Sequence, residues 1–150
     1  MLEEKESSKD GKKTKQPDMK IVMEAWQLEE YTLTITSNAR RYPKKYRFSL
    51  CQEIQRTALE IGRYLLEANE MDLRIKESRK ERSDYQNIVM RKSKVLLHYI
   101  ELSKRMKFIN DNTFEYWVRM TNNIKNMCAK WQVSDKERAS RLDTHKGDAL

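Results

Sequence analysis

Apolar residues recur at steps of three and four in four blocks, the spacing that lines up one face of an α-helix. The first block covers about residues 19–41, with Ile21, Ala25, Leu28, Tyr31, Ile35 and Ala39 on its stripe. Pro43 ends it, because the residue before a proline is pushed out of the α region. The second starts at Ser49, a candidate cap with Gln52 reaching back as a capping box, and carries Leu50, Ile54, Ala58, Ile61, Leu65 and Ala68. Ser78 with Glu81 offers a second capping box for a third helix, striped by Tyr85, Ile88, Val89, Val95, Leu96, Tyr99, Leu102 and Met106 and interrupted by Lys92. The fourth opens at Asn112, with Glu115 three residues on, and carries Phe114, Trp117, Val118, Thr121, Ile124, Cys128 and Trp131. Four such helices on short connections predict an all-α, antiparallel up-and-down four-helix bundle over residues 18–133.

The flanks read differently. Residues 1–17 and 134–150 are mixed-charge segments with few apolar positions, so burial cannot offset their ordering entropy, and both are expected to be disordered charged tails. Only 3 Gly and 2 Pro punctuate the chain, which weighs against a sandwich, a barrel or a Gly-rich nucleotide-binding domain. No run approaches the roughly 18 consecutive apolar residues of a membrane span, and the N-terminus has no apolar signal region. A cytoplasmic protein without membrane contact is expected, with Cys51 and Cys128 as reduced core thiols. Gly62, inside the second helix, costs about 1 kcal/mol against Ala, so it either admits a closely packed neighbour or is a tolerated weak spot.

Candidate chemistry is sparse. Neither His98 nor His145 has a Glu three residues before it, so a di-iron site has no ligands and neither metal nor cofactor is expected. Glu53, Glu60 and Glu67 recur at heptad spacing, but Arg56 and Arg63 follow the first two at i+3, the pattern of surface ion pairs. Either cysteine with His98 lacks the loop and oxyanion motif of a nucleophilic site, and no phosphate-binding glycine pattern is present. No enzyme and no small-molecule substrate is expected.

The charge is more informative. The chain carries 31 Lys and Arg against 23 Asp and Glu, and +7 of its +8 net charge falls between the flanks. Arg40, Arg41, Lys44, Lys45 and Arg47 surround the first connection; Arg74, Arg79, Lys80 and Arg82 the second; Arg91, Lys92 and Lys94 lie on the third helix. These cations are the candidate nucleic-acid or partner contacts, the alternative being solvated helix ends. In an up-and-down bundle the first and third connections share one end and the second lies at the other, so the cations form a band rather than one patch. Tyr42, Tyr46 and Phe48 interleave with the first cluster, either to stack on bases or, for Phe48 above all, to anchor the loop to the core.

The first connection and second helix read Arg41-Tyr42-Pro43-Lys44-Lys45-Tyr46-Arg47-Phe48-Ser49-Leu50, then Gln52, Ile54, Thr57-Ala58-Leu59-Glu60-Ile61 and Glu67-Ala68-Asn69. This resembles the four-helix-bundle family that includes Avd, the accessory variability determinant of bacterial diversity-generating retroelements, and the proteins encoded in intervening sequences of 23S ribosomal RNA genes. The resemblance runs from about Met23 to Trp131 and is sharpest between Tyr42 and Asn69. It implies a basic, barrel-shaped homopentamer without catalytic activity that binds the reverse transcriptase and template-repeat RNA and supports adenine-mutagenic cDNA synthesis. Arg47 is the position carried over most directly. Cys51 and Glu53 stand where a Gly and a basic residue are common in that family, and the charged flanks lie outside its usual pattern. The alternative within the same family is a structural or protein-interaction bundle of the intervening-sequence type without an RNA role.

Overall fold

A computed structural model describes the backbone of residues 4–149 and the side chains of residues 20–144. It contains α1 (Glu4–Thr36), α2 (Gln52–Glu70), α3 (Lys76–Arg105) and α4 (Asp111–Ala149), and among the described residues no strand. Between α1 and α2 the chain makes a 3-10 turn, Lys44–Tyr46, followed by a single π-helical stretch, Arg47–Cys51. The all-α up-and-down bundle read from the sequence is the observed architecture: α2 packs on α1 and α3, and α4 closes the ring against α3 and α1. No described helix is long and apolar enough to cross a membrane.

Cross-helix pairs fix the register. Gln55 Nε2 donates to Thr36 Oγ1 at 2.8 Å, and the Glu29 carboxylate lies directly over Gly62, so α1 and α2 run antiparallel. A methyl group at Gly62 would displace that carboxylate, a shift the flexible Glu29 side chain can make. Tyr64 stacks on Tyr85 across the α2/α3 seam with centroids 5.8 Å apart. Where α1 meets α4, the Trp117 indole N–H donates to Thr32 Oγ1 at 3.0 Å. Trp117, Leu28, Ile54, Ile61, Leu65, Leu96, Ile100 and Ile124 are fully buried at the centre. Each contributes roughly 1.5–3 kcal/mol or more by leaving water.

The helix ends depart from the expected caps. Ser49 does not cap α2, because the chain enters that helix through the π-helical stretch and Ser49 lies inside it. α3 begins at Lys76 without a side-chain cap; the backbone N–H groups of Ser78 and Arg79 both bond to the Ile75 carbonyl. At α4 the cap is Asn110, whose Oδ1 accepts the Thr113 N–H at 2.8 Å, two positions before the expected Asn112. α3 closes in a Schellman arrangement: Phe108 N–H bonds to Ser103 O and Lys107 N–H to Lys104 O, both at 2.9 Å. Lys107 takes the left-handed position, at φ 64°, where glycine is usual.

On α3 the buried stripe is Arg82, Gln86, Val89, Ser93, Leu96, Ile100 and Ser103. It lies one position off much of the predicted one, and Val95 and Met106 face outward. Polar residues occupy half of this core face, so apolar periodicity selects a neighbouring, mixed face instead. The flanks also differ from expectation. Residues 1–17, read as a disordered tail, are helical backbone from Glu4 on, with their side chains outside the described residues. α4 continues unbroken past residue 134, and Asp135 is buried.

Candidate functional site

The first and third connections meet at one end, as the up-and-down topology requires. Tyr42 is buried, its hydroxyl donating to Ser103 Oγ at 2.8 Å and its ring against Phe108 at 5.0 Å. Burial pushes the Tyr42 phenol up to about 12. Tyr46 flanks the same Phe108 at 5.4 Å, and the Arg41 guanidinium donates to Thr113 Oγ1 at 3.3 Å. Tyr42 and Tyr46 therefore anchor the loop.

Phe48 does the opposite of what its hydrophobicity suggests: it is 78 % exposed. In an α-helix Phe48 and Cys51, three apart, would share a face. The wider π turn over Arg47–Cys51 rotates them apart, so the Cys51 thiol turns inward and Phe48 outward. Burial raises the Cys51 thiol pKa, with Arg47 nearby pulling the other way.

In the same connection as Phe48, Arg40, Lys44, Lys45 and Arg47 are all exposed and make no ion pair among the described residues. Lys45 Nζ lies 5.3 Å from the Tyr46 ring. A cleft of about 310 Å³ opens beside them, lined by Thr36, Ser37, Tyr42, Lys44, Arg47 and Gln55. Cations without counter-ions, hydroxyl and amide groups in the cleft, and an outward aromatic ring can together hold phosphates and stack on an unpaired base.

At the opposite end the predicted cations are engaged. Arg74 makes two side-chain hydrogen bonds to Asp72, at 3.1 and 2.9 Å. Those bonds, with the Arg74 backbone N–H, hold the Asp72 carboxyl down at about 2. Arg79 donates to Leu73 O at 2.7 Å and pairs with Asp143 at 3.0 Å. Lys80 meets Asp84 at 3.0 Å on the surface of α3.

Arg82, expected among the nucleic-acid contacts, is instead a core residue. Its Nε and Nη2 bind the Asp135 carboxylate at 2.6 and 3.0 Å, and Nη1 donates to Met71 O at 3.0 Å. The guanidinium lies 4.8 Å from the Trp131 ring, and Gln86 Nε2 donates to Asp135 at 2.8 Å. Pairing explains how two charges occupy stripe positions: neither is left in the interior without its partner.

On α3, Lys92 bridges to Glu60 of α2 at 2.9 Å and so belongs to a helix seam, while Arg91 and Lys94 are exposed without a partner among the described residues. Of the acidic heptad row, Glu53 pairs with Arg56 at 3.9 Å as its spacing suggests, and Glu60 turns to Lys92 instead. The predicted cations thus sort into a free cluster at the first-loop end, two free residues on α3, and a paired set elsewhere. Sequence reading missed Asp135, Gln86, Arg138 and Arg141 because they lie in a charged stretch or off an apolar stripe; continuing the α4 stripe from Cys128 and Trp131 by four residues reaches Asp135. Comparison of the chain with protein-family profiles, with curated proteins and with solved structures returns no match.

Proposed function

We propose that the chain is a non-enzymatic, cytoplasmic accessory protein of a diversity-generating retroelement, binding the element's reverse transcriptase and template-repeat RNA to support adenine-mutagenic cDNA synthesis. The observation that carries this reading is the first-loop end. The first connection carries an outward Phe48 and four exposed cations without an ion pair among the described residues; Lys44, Lys45, Arg47 and Phe48 fall on the segment, Tyr42 to Asn69, where the resemblance is sharpest. Contact there is with phosphates and an unpaired base, so affinity falls steeply with salt.

Self-assembly into a homopentamer is part of the same reading, and the outer face of α1 and α2 supports it. Trp26, Met23 and Leu33 on α1 and Leu59 and Leu66 on α2 are exposed, Trp26 at 58 %. The register set by Thr36–Gln55 and Glu29–Gly62 brings Trp26 level with Leu66 and Leu33 level with Leu59. One apolar strip results, of the kind that marks a contact between proteins.

Copurification tests the reading. A tagged chain, co-expressed with the reverse transcriptase encoded beside it, is expected to retain that enzyme and its RNA. Failure to associate, with or without RNA, overturns the proposal; if the chain still forms a closed ring, the intervening-sequence type of bundle takes its place.

A further inference from the structure

The end of the bundle away from Phe48 carries a second cleft, built by the part of α4 that runs past the α2–α3 connection. Two salt bridges hold that overhang, Arg82–Asp135 at 2.6 Å and Arg79–Asp143 at 3.0 Å. Between the overhang and the loop opens a space of about 570 Å³. It is large enough for a side-chain cluster or a small ligand. Met71, Leu73 and Leu142 form its apolar walls, and Arg74, Arg82, Arg138 and Arg141 reach it.

The charge there is unbalanced. Asp135 is taken up by Arg82 and lies 3.8 Å from Arg138, and Asp72 is taken up by Arg74. Arg141 has no partner among the described residues. Among the described residues the four guanidiniums thus meet two carboxylates, Asp72 in the lining and Asp135 behind Arg82 and Arg138, which leaves an excess of about two positive charges. Arginine forks bind carboxylate and phosphate groups through paired N–H bonds. The walls decide between sources: they are aliphatic, and among the described residues no aromatic ring lines the cleft on which a base would stack.

We infer that this cleft docks an acidic, aliphatic segment of a protein partner, with carboxylates on Arg138 and Arg141 and a leucine-sized side chain against Met71, Leu73 and Leu142. The inference rests on the proposed function only for the partner's identity, which under that reading is the polymerase. RNA and polymerase then take opposite ends of the bundle.

The test uses the full chain and a short fluorescein-labelled peptide rich in Glu and Leu, followed by fluorescence anisotropy. The expected result is saturable binding, weakened on the order of tenfold by Arg141→Glu and by Arg138→Glu. A matched Gln and Leu peptide should bind poorly. Lys130→Glu, a charge reversal on α4 outside the cleft, should leave affinity unchanged, and circular dichroism confirms that each variant stays helical. Equal affinity for the Gln and Leu peptide, or no loss in Arg141→Glu, overturns the inference. So does a result in which Arg141→Glu weakens binding of oligouridine while the acidic peptide does not bind. Because oligouridine binding is titrated separately, loss of RNA affinity at the first-loop end would strike the proposed function and leave this inference standing.

Discussion

Replacing Asp135 with alanine strips the nearly buried Arg82 guanidinium of its counter-ion. The two side chains are 5 % and 8 % exposed, and the carboxylate accepts from Arg82 Nε, Arg82 Nη2 and Gln86 Nε2. In Asp135→Ala the guanidinium keeps Met71 O and the Trp131 face, while Gln86 Nε2 loses its acceptor inside the core. Removing one member of a buried pair costs about 3–5 kcal/mol, a large share of the ~5–15 kcal/mol that holds a domain folded. Replacing the pair together, Arg82→Met with Asp135→Leu, removes the stranded charge and should recover most of that loss. Urea denaturation followed by circular dichroism measures both variants, and a chain truncated after Val133 should lose at least as much as Asp135→Ala. A cost under about 1 kcal/mol for Asp135→Ala, the range of an exposed ion pair, or an unchanged midpoint after truncation would refute a stabilising role for the pair.

Three further outcomes are expected. Burial, and Glu30 beside it, raise the Glu29 carboxyl above its ordinary 4.5, so the folded chain holds that proton longer than the unfolded one and stability falls as pH rises through the window above 4.5. Glu29→Gln should therefore raise the melting temperature at neutral pH, with the gain vanishing below the carboxyl's unfolded value; an equal gain at all pH values would exclude this cause. Burial, with Asp135 adding to it, pushes the Cys128 thiol up to about 12, so Ellman's reagent at about pH 8 should leave it unmodified until denaturant is added. Finally, Trp26→Lys with Leu66→Lys places charge on the exposed apolar strip and should convert a ring to monomers in light scattering; an unchanged mass rules that strip out as the contact.

The bundle was legible because α1, α2 and α4 carry long apolar runs at helical spacing. Ile54, Ala58, Ile61, Leu65 and Ala68 are all buried where the pattern puts them. α3 was legible as a helix but not in its rotation, since Arg82, Gln86, Ser93 and Ser103 occupy core positions that apolar periodicity does not recognise. Each of these side chains has a partner across a seam or one turn back along its own helix, as with Ser93 Oγ on Val89 O at 2.8 Å, although Gln86 Oε1 has none among the described residues. The candidate site divides in the same way. Composition located its cations, yet whether each was free depended on carboxylates distant in sequence: Asp135 for Arg82, Asp143 for Arg79, Glu60 for Lys92. Phe48 was misjudged because its exposure follows from one π turn, a backbone feature with no side-chain signature.

RNA contact at the first-loop end is read out by a salt titration of fluorescein-labelled oligouridine. Affinity should fall linearly with salt on logarithmic axes, and Lys45→Ala should reduce the slope by about 1. Phe48→Ala should weaken binding by about 1–3 kcal/mol with the slope unchanged, as expected for a lost stacking contact. An affinity indifferent to salt, or one that neither substitution alters, would contradict RNA contact at that end.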